Sequence, residues 1–251
     1  MYVRLSMDAE VRSGSNLHGL ARVSARVGAV LRPGTRLQRV RRGHSYGFVL
    51  TLVLLSFAFI ALAPGDNWAS VVLVLIEASI LSVAIWTSGL EFGRLLIPIV
   101  LGIGAIAALA IAVDSGATTR GIVGGIETTF LLASCAVIVA GIWDQGEVNK
   151  QSLLGAVSIY ITIGILFTAI YSVLAYTGDG PFFAQGTDGD GSTRLYFSFV
   201  TLATLGYGDY TAASDLGRML AVFEALVGQL YLVTVVAVLV SNLGRTREPR
   251  P

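Results

Sequence analysis

The chain has 251 residues, of which 54% are hydrophobic and only 13% are charged, and its net charge is +1. Soluble domains carry about 25% charged residues, so this sequence is too poor in charge to cover a water-facing surface, and the bilayer is its natural solvent. A near-neutral chain with one cysteine and two distant histidines gives no reason to expect a nucleic-acid partner, a disulfide within the chain, a metal site or an enzyme.

The N-terminal segment, residues 1–45, is basic. It holds nine arginines and no lysine. Within it, residues 20–31 place four apolar side chains on one helical face, which fits either an interfacial helix on anionic lipid or a basic tail without fixed structure. Both alternatives predict a cytoplasmic segment.

Six later segments are long and apolar enough to cross a hydrocarbon core, which takes roughly 20 residues per helix. Helices are the expected structure because each one satisfies its backbone polar groups internally in lipid. The sequence therefore predicts an all-α membrane protein with six transmembrane helices. These lie at approximately 46–63, 68–88, 93–113, 121–142, 153–176 and 217–241.

The basic residues predict the orientation of these spans. With the N-terminus inside the cell, 14 of the 17 basic residues fall on the cytoplasmic side, as the positive-inside rule requires. An even number of spans returns the C-terminus to the same side, where residues 242–251 form a short tail. We therefore predict a multi-pass protein of the cell membrane with both termini cytoplasmic.

The first four spans, residues 46–143, form one predicted helical domain. The fourth of them, 121–142, contains no basic residue, whereas a response to membrane voltage needs several charges that cross the membrane. Glu77 and Glu127 lie within the second and fourth spans. An acid inside a span is a candidate functional residue, and each either senses pH by taking up a proton or bonds a neighbouring Ser or Thr.

The fifth and sixth spans are separated by a long segment, 177–216. Within it, residues 195–204, LYFSFVTLAT, are an apolar run of ten, which is too short to span the membrane. We predict a re-entrant helix here, capped by Ser192 or Thr193 and followed by a loop.

That loop, residues 205–209, is predicted to line a pore. Non-helical backbone at membrane depth is tolerated only where it is buried in protein or lines a wet cavity. Gly206 and Gly208 allow backbone angles that residues with a Cβ resist. Such alternation can turn successive carbonyls to the same side, and four copies around an axis would form stacked oxygen cages.

Residues 201–209, TLATLGYGD, resemble the selectivity filter of potassium channels, usually written T-x-x-T-V-G-Y-G-D. The order of outer helix, pore helix, filter and inner helix is similar across 153–241, whereas over 46–143 the similarity is in helix number alone. The resemblance implies a homotetramer in a lipid bilayer that conducts K⁺ passively, needs no other cofactor and has its pore domain at 144–241.

By this resemblance, K⁺ would be held by the backbone carbonyls of four filter residues and by one threonine hydroxyl. Asp209, after Gly208, would lie at the outer mouth, where Tyr196 could bond it. Val200 and Thr201 would support the filter, and Val200 stands where some family members carry Glu. The four K⁺ ligands would be Thr204, which also supplies the hydroxyl, Leu205 in place of the commoner Val, Gly206 and Tyr207.

The last span resembles the inner helix of this family. Gly228 lies 19 residues beyond Asp209, at the place of a glycine hinge, although close packing would equally explain it. Glu224, one turn earlier, is predicted to bond the pore-helix side. One helical face is predicted either to line a cavity, with a polar ring above a hydrophobic constriction, or to pack against lipid or the outer helix. That face carries Gln229, Leu232, Val236 and Val240.

The sequence thus predicts a K⁺-selective channel subunit that is not strongly voltage-gated. Two alternatives stay open. One is a subunit of a potassium transporter, although such proteins are built from several pore-like repeats and this chain has a single filter. The other is a non-conducting membrane regulatory protein.

Overall fold

The computed structural model describes residues 46–63, 67–88, 93–143 and 150–245. Apart from isolated backbone bridges, every regular element in these ranges is an α-helix, which confirms the predicted all-α class. The N-terminal segment, with its possible interfacial helix, and residues 246–251 lie outside the described residues. The helices are α1 (Tyr46–Leu62), α2 (Asn67–Ser88), α3 (Gly93–Val113), α4 (Ala117–Trp143), α5 (Lys150–Thr177), α6 (Gly191–Leu202) and α7 (Asp215–Arg245).

Five of these helices are long and apolar enough to cross a membrane, by length and composition: α2, α3, α4, α5 and α7. Several apolar spans are thus confirmed, and the protein is a multi-pass membrane protein. The first helix, α1, is apolar throughout but has only 17 residues. The 12 residues of α6 rise about 18 Å, well short of a hydrocarbon core about 30 Å thick.

Helix α5 is the packing centre of the described chain, because α1, α4, α6 and α7 all contact it. Helix α2 packs against α1, α3 and α4, whereas α3 contacts only α2 and α4. The first four helices therefore meet the later part of the chain mainly through α1 and α4, with α1 also touching α6.

Close packing fixes the position of α6. A Cβ atom at Gly164 of α5 would lie 2.5 Å from the ring of Phe199 on α6, so only glycine allows the two helices to approach this closely. On its other side, the Phe199 ring meets Phe57 of α1 edge to face, with the ring centroids 4.9 Å apart. These contacts fix the position at which α6 ends and the direction in which residues 203–209 leave it.

The prediction that Ser192 or Thr193 caps α6 is wrong, because Asp190 is the N-cap. Its carboxylate accepts hydrogen bonds from the Thr193 N–H at 2.7 Å and from the hydroxyls of Ser192 and Thr193 at 2.8 and 2.7 Å. Partial burial acts to raise the pKa of Asp190, but these bonds and the Arg194 charge outweigh it, and the pKa is lowered. An acid suits this position because its charge complements the free N–H groups of the helix.

Candidate functional site

The backbone of the predicted filter, residues 204–209, alternates in handedness. Thr204, Gly206 and Gly208 have φ values of +54°, +65° and +75°, and no residue between them has a positive φ. A left-handed conformation is ordinary for glycine, but it is a true outlier for a β-branched residue and costs on the order of 1–3 kcal/mol. Strain of this kind persists only where the surrounding structure imposes it.

Hydrogen bonds hold the first residues of the predicted filter. The N–H of Leu205 donates to the carbonyl of Val200, and that of Thr204 donates to the carbonyl of Thr201, each at 2.9 Å. From α7, Gln229 Nε2 donates to the Thr204 hydroxyl oxygen at 2.9 Å. Gln229, whose side chain is exposed, thus bonds the first residue of the predicted filter, and its place in the wall of a cavity stays a prediction.

The outer end of the predicted filter is held from two sides. The Tyr196 hydroxyl on α6 donates to Asp209 Oδ2, and Gln185 Nε2 donates to the Asp209 carbonyl, each at 2.8 Å. The Gln185 amide oxygen also accepts from the Thr211 N–H at 3.3 Å. The Tyr196 ring stacks on Tyr207, with the ring centroids 6.4 Å apart. Sequence reasoning missed Gln185, because nothing in the local sequence indicates a contact 24 residues away.

Within a single chain, part of the predicted filter is not covered by other residues. The Tyr207 side chain is 66% exposed, Leu205 is also exposed, and a Cβ atom at Gly206 would meet nothing within 4 Å. Both ends of the segment are fixed by hydrogen bonds while its middle faces away from its own chain.

A buried carboxylate joins three helices behind the predicted filter. Glu224 of α7 is fully buried and accepts hydrogen bonds from the Tyr171 hydroxyl on α5 and the Ser198 hydroxyl on α6. Ser198 also lies 2.7 Å from the carbonyl oxygen of Gly164. Sequence reasoning named Glu224 but missed its two partners. The sequence feature that could have indicated Tyr171 and Ser198 is a polar side chain on an otherwise apolar helix face.

Gly228 lies against the C-terminal end of α6. A Cβ atom at this position would overlap the carbonyl oxygen of Leu202. This contact requires a glycine for close packing, while a hinge here stays a prediction. Leu232 is partly exposed, and the side chains of Val236 and Val240 lie outside the described part of the structure.

The two acids of the first four helices line one cavity of about 240 Å³. Glu77 of α2 is 1% exposed, and Glu127 of α4 is also buried. Arg194, in the first turn of α6, lines the same cavity and was missed by sequence reasoning. The sequence feature that could have indicated Arg194 is a basic residue at the N-terminal end of a helix, where acidic residues are favoured.

Comparison with known proteins matches part of the chain. A family model described as "Ion channel" matches residues 159–245. Protein LctB of Geobacillus stearothermophilus is 30% identical over 119 residues, which cover 45% of this chain and 88% of LctB. The calcium-activated potassium channel slowpoke of Drosophila melanogaster is 32% identical over 123 residues, which cover 47% of this chain but only 10% of slowpoke. No solved structure matches.

Proposed function

Because this chain belongs to the potassium channel superfamily, we propose that it is the pore-forming subunit of a K⁺-selective channel that conducts K⁺ passively across the cell membrane. The observation that carries this proposal is the alternating backbone of residues 204–208 within the sequence TLGYGD. Alternating handedness allows successive carbonyls to face the same side, where they replace the hydration shell of an ion.

The permeant ion is bound by the carbonyls of Thr204, Leu205, Gly206 and Tyr207 and by the Thr204 hydroxyl. Gln229 and Tyr196 support this role, because their hydrogen bonds fix the two ends of the predicted filter. Positioning these oxygens before the ion arrives reduces the cost of ordering them when it binds.

Four copies of the chain form the pore. One filter strand supplies a quarter of each oxygen cage, so the site is incomplete without its neighbours. The exposed apolar side chains of α7 support this assembly, for example Leu230 at 68% exposure, together with the exposed Tyr207. Large apolar surfaces of this kind mark contacts with lipid or protein.

The proposed topology has six spans, with α1 as the first and α6 as the re-entrant pore helix. The length of α6, about 18 Å, supports the second assignment. Both termini are cytoplasmic, residues 46–143 form the four-helix domain and residues 144–241 form the pore domain. Bending at Gly228 and closure at Val236 and Val240 remain part of the proposal.

The channel is not strongly voltage-gated. Within α4, Arg120 in the first turn is the one basic residue, and steep gating needs several charges that cross the field. The slope of open probability against voltage is therefore expected to be shallow, and a slope equivalent to several charges per subunit would contradict this proposal.

The test is K⁺ flux from liposomes that contain the purified protein alone, together with its native mass in lipid. We expect K⁺ efflux and a mass of four chains. A monomer or dimer without flux would favour a non-conducting regulatory protein. Flux that saturates at low turnover, without measurable single-channel current, would favour a transporter subunit.

A further inference from the structure

The cavity of about 240 Å³ lies where the four-helix part of the chain meets the start of α6. It is placed where α1, α3 and α5 end and where α2, α4 and α6 begin. In the proposed orientation this is the extracellular side. At about 30 Å³ per molecule, the cavity has room for several waters.

The lining of this cavity mixes apolar side chains with charges of both signs. Helices α1 and α3 contribute only apolar residues, such as Phe59 and Ile111. All the remaining elements around the cavity contribute titratable or charged residues. They are Glu77 of α2, Arg120 and Glu127 of α4, Tyr176 of α5, Asp188 and Asp190 before α6, and Arg194 of α6.

Glu77 has an unsatisfied carboxyl oxygen in this cavity. The residue is 1% exposed, and its Oε2 atom has no hydrogen-bond partner among the described residues. A buried carboxylate without a partner is costly, so such a group takes up a proton, binds a cation or is hydrated. Glu127 lines the same cavity, and two ionised carboxylates in one buried cavity are still less favourable than one.

Arg194 carries the opposite charge, and its hydrogen bonds go to neutral groups. The guanidinium, 4% exposed, donates to the Ser172 hydroxyl at 2.8 Å, to the carbonyls of Asp188 and Gly189 at 3.0 and 2.9 Å, and to the Tyr176 hydroxyl at 3.3 Å. Glu127 lines the same cavity as this guanidinium. The charge of Arg194 is therefore balanced through space rather than by a direct ion pair.

We propose that Glu77 and Glu127 form a site for an extracellular proton and that this proton reduces K⁺ conduction through Arg194. The effect of the proton on K⁺ conduction rests on the proposed channel function. A proton from the external water adds to a carboxylate oxygen, and no other reactant is needed. Two nearby guanidinium groups, Arg194 and Arg120, favour a proton over a metal cation, because a proton neutralises a carboxylate without leaving a second positive charge in the cavity.

The link to the pore runs through the turn before α6. Arg194 holds the carbonyls of Asp188 and Gly189, directly before the N-cap Asp190. When Glu127 is neutralised, Arg194 loses one counter-charge and keeps Asp190, while its hydrogen bonds still tie it to this turn. The start of α6 then shifts to relieve the unbalanced charge, and the predicted filter at the other end of α6 loses its conducting geometry.

The test measures K⁺ flux from liposomes while the external pH is varied from about 5 to about 9, a range in which buried carboxyl groups titrate. Wild-type flux is expected to fall about tenfold or more as the external pH falls, which corresponds to a bias of about 1.4 kcal/mol. Glu127→Gln should hold the flux at its low-pH level at every pH. Glu77→Gln removes a neighbouring negative charge, so the midpoint should move to lower pH by about one unit or more.

Three variants separate regulation from general damage. Arg194→Lys keeps the positive charge and should keep the pH dependence, whereas Arg194→Gln should remove it. Asp179→Asn neutralises an exposed acid outside the cavity, just after α5, and should leave the profile unchanged. A Glu127→Gln profile that matches the wild type would overturn the proposal.

Infrared difference spectra between acid and alkaline samples give a readout that does not depend on conduction. We expect a protonated-carboxyl band that Glu77→Gln and Glu127→Gln reduce and Asp179→Asn does not. Absence of that band from the wild type would overturn the proton site. A band with no K⁺ flux at any pH would leave the proton site standing and refute the channel function. Tight Mn²⁺ binding that Glu77→Gln abolishes, seen by electron paramagnetic resonance, would assign the site to a divalent cation instead and also overturn the proposal.

Discussion

Replacing Gly206 by Ala is expected to abolish K⁺-selective conduction. Gly206 has a φ of +65°, a region in which a residue with a Cβ costs roughly 1–2 kcal/mol. In the proposed tetramer, four subunits carry the change at one level of the pore, so the backbone is expected to leave the conformation that aligns its carbonyls. The measurement is K⁺ flux and ion selectivity of the variant in liposomes.

Gly186→Ala is the matched control for this experiment. Gly186 also has a left-handed φ, +79°, and a Cβ atom there likewise meets nothing within 4 Å. Backbone strain is therefore similar at the two positions, but Gly186 lies outside the predicted filter. We expect Gly186→Ala to conduct selectively. Selective conduction by both variants would mean that residues 204–209 do not form the selective site.

Replacing Glu224 by Ala is expected to destabilise the folded pore by about 2–4 kcal/mol. The change leaves the buried Tyr171 hydroxyl without its acceptor, which costs about 1–3 kcal/mol. Ser198 keeps only the Gly164 carbonyl as an acceptor, and its lost bond to Glu224 adds about 1 kcal/mol. Because the carboxylate joins α5, α6 and α7, the loss should appear as a lower midpoint of thermal unfolding and earlier dissociation of the oligomer in detergent.

Tyr231→Phe is the control for loss of a single hydrogen bond between α7 and α5. It removes a hydroxyl that donates to the Ala156 carbonyl, and it should cost only about 1 kcal/mol. The triple variant Tyr171→Phe, Ser198→Ala, Glu224→Leu removes the whole network and should be more stable than Glu224→Ala, because no polar group is left unpaired. Stability of Glu224→Ala equal to the wild type would show that this network does not hold the helices together.

The sequence predicts the helices well because lipid leaves few alternatives. The predicted span 121–142 lies inside the observed Ala117–Trp143, and 153–176 lies inside Lys150–Thr177. The residues by which the observed helices extend beyond the predicted spans are polar or lie at helix ends, where the length of an apolar run does not indicate the helix boundary. Hydrophobicity therefore indicates the membrane-buried part of a helix and misses the turns at its ends.

The supporting contacts of the candidate site were harder to predict, because they join residues far apart in the chain. Gln185 reaches Asp209, and Arg194 reaches Ser172, 22 residues earlier. The glycines of the TLGYGD motif indicate left-handed backbone, but no sequence rule predicts it for Thr204, where the φ is +54°. Contacts with Gln229 and with the end of α6 impose that conformation, so it follows from the fold rather than from local preference.

The most direct test of the central claim is the reversal potential of current through the purified protein in a planar bilayer, with K⁺ on one side and Na⁺ on the other. If residues 204–209 form a K⁺-selective filter, the reversal potential will follow the K⁺ equilibrium potential as the K⁺ gradient is changed. A reversal potential near zero with equal concentrations of K⁺ and Na⁺ on opposite sides would show that the pore does not distinguish the two ions and would contradict the account.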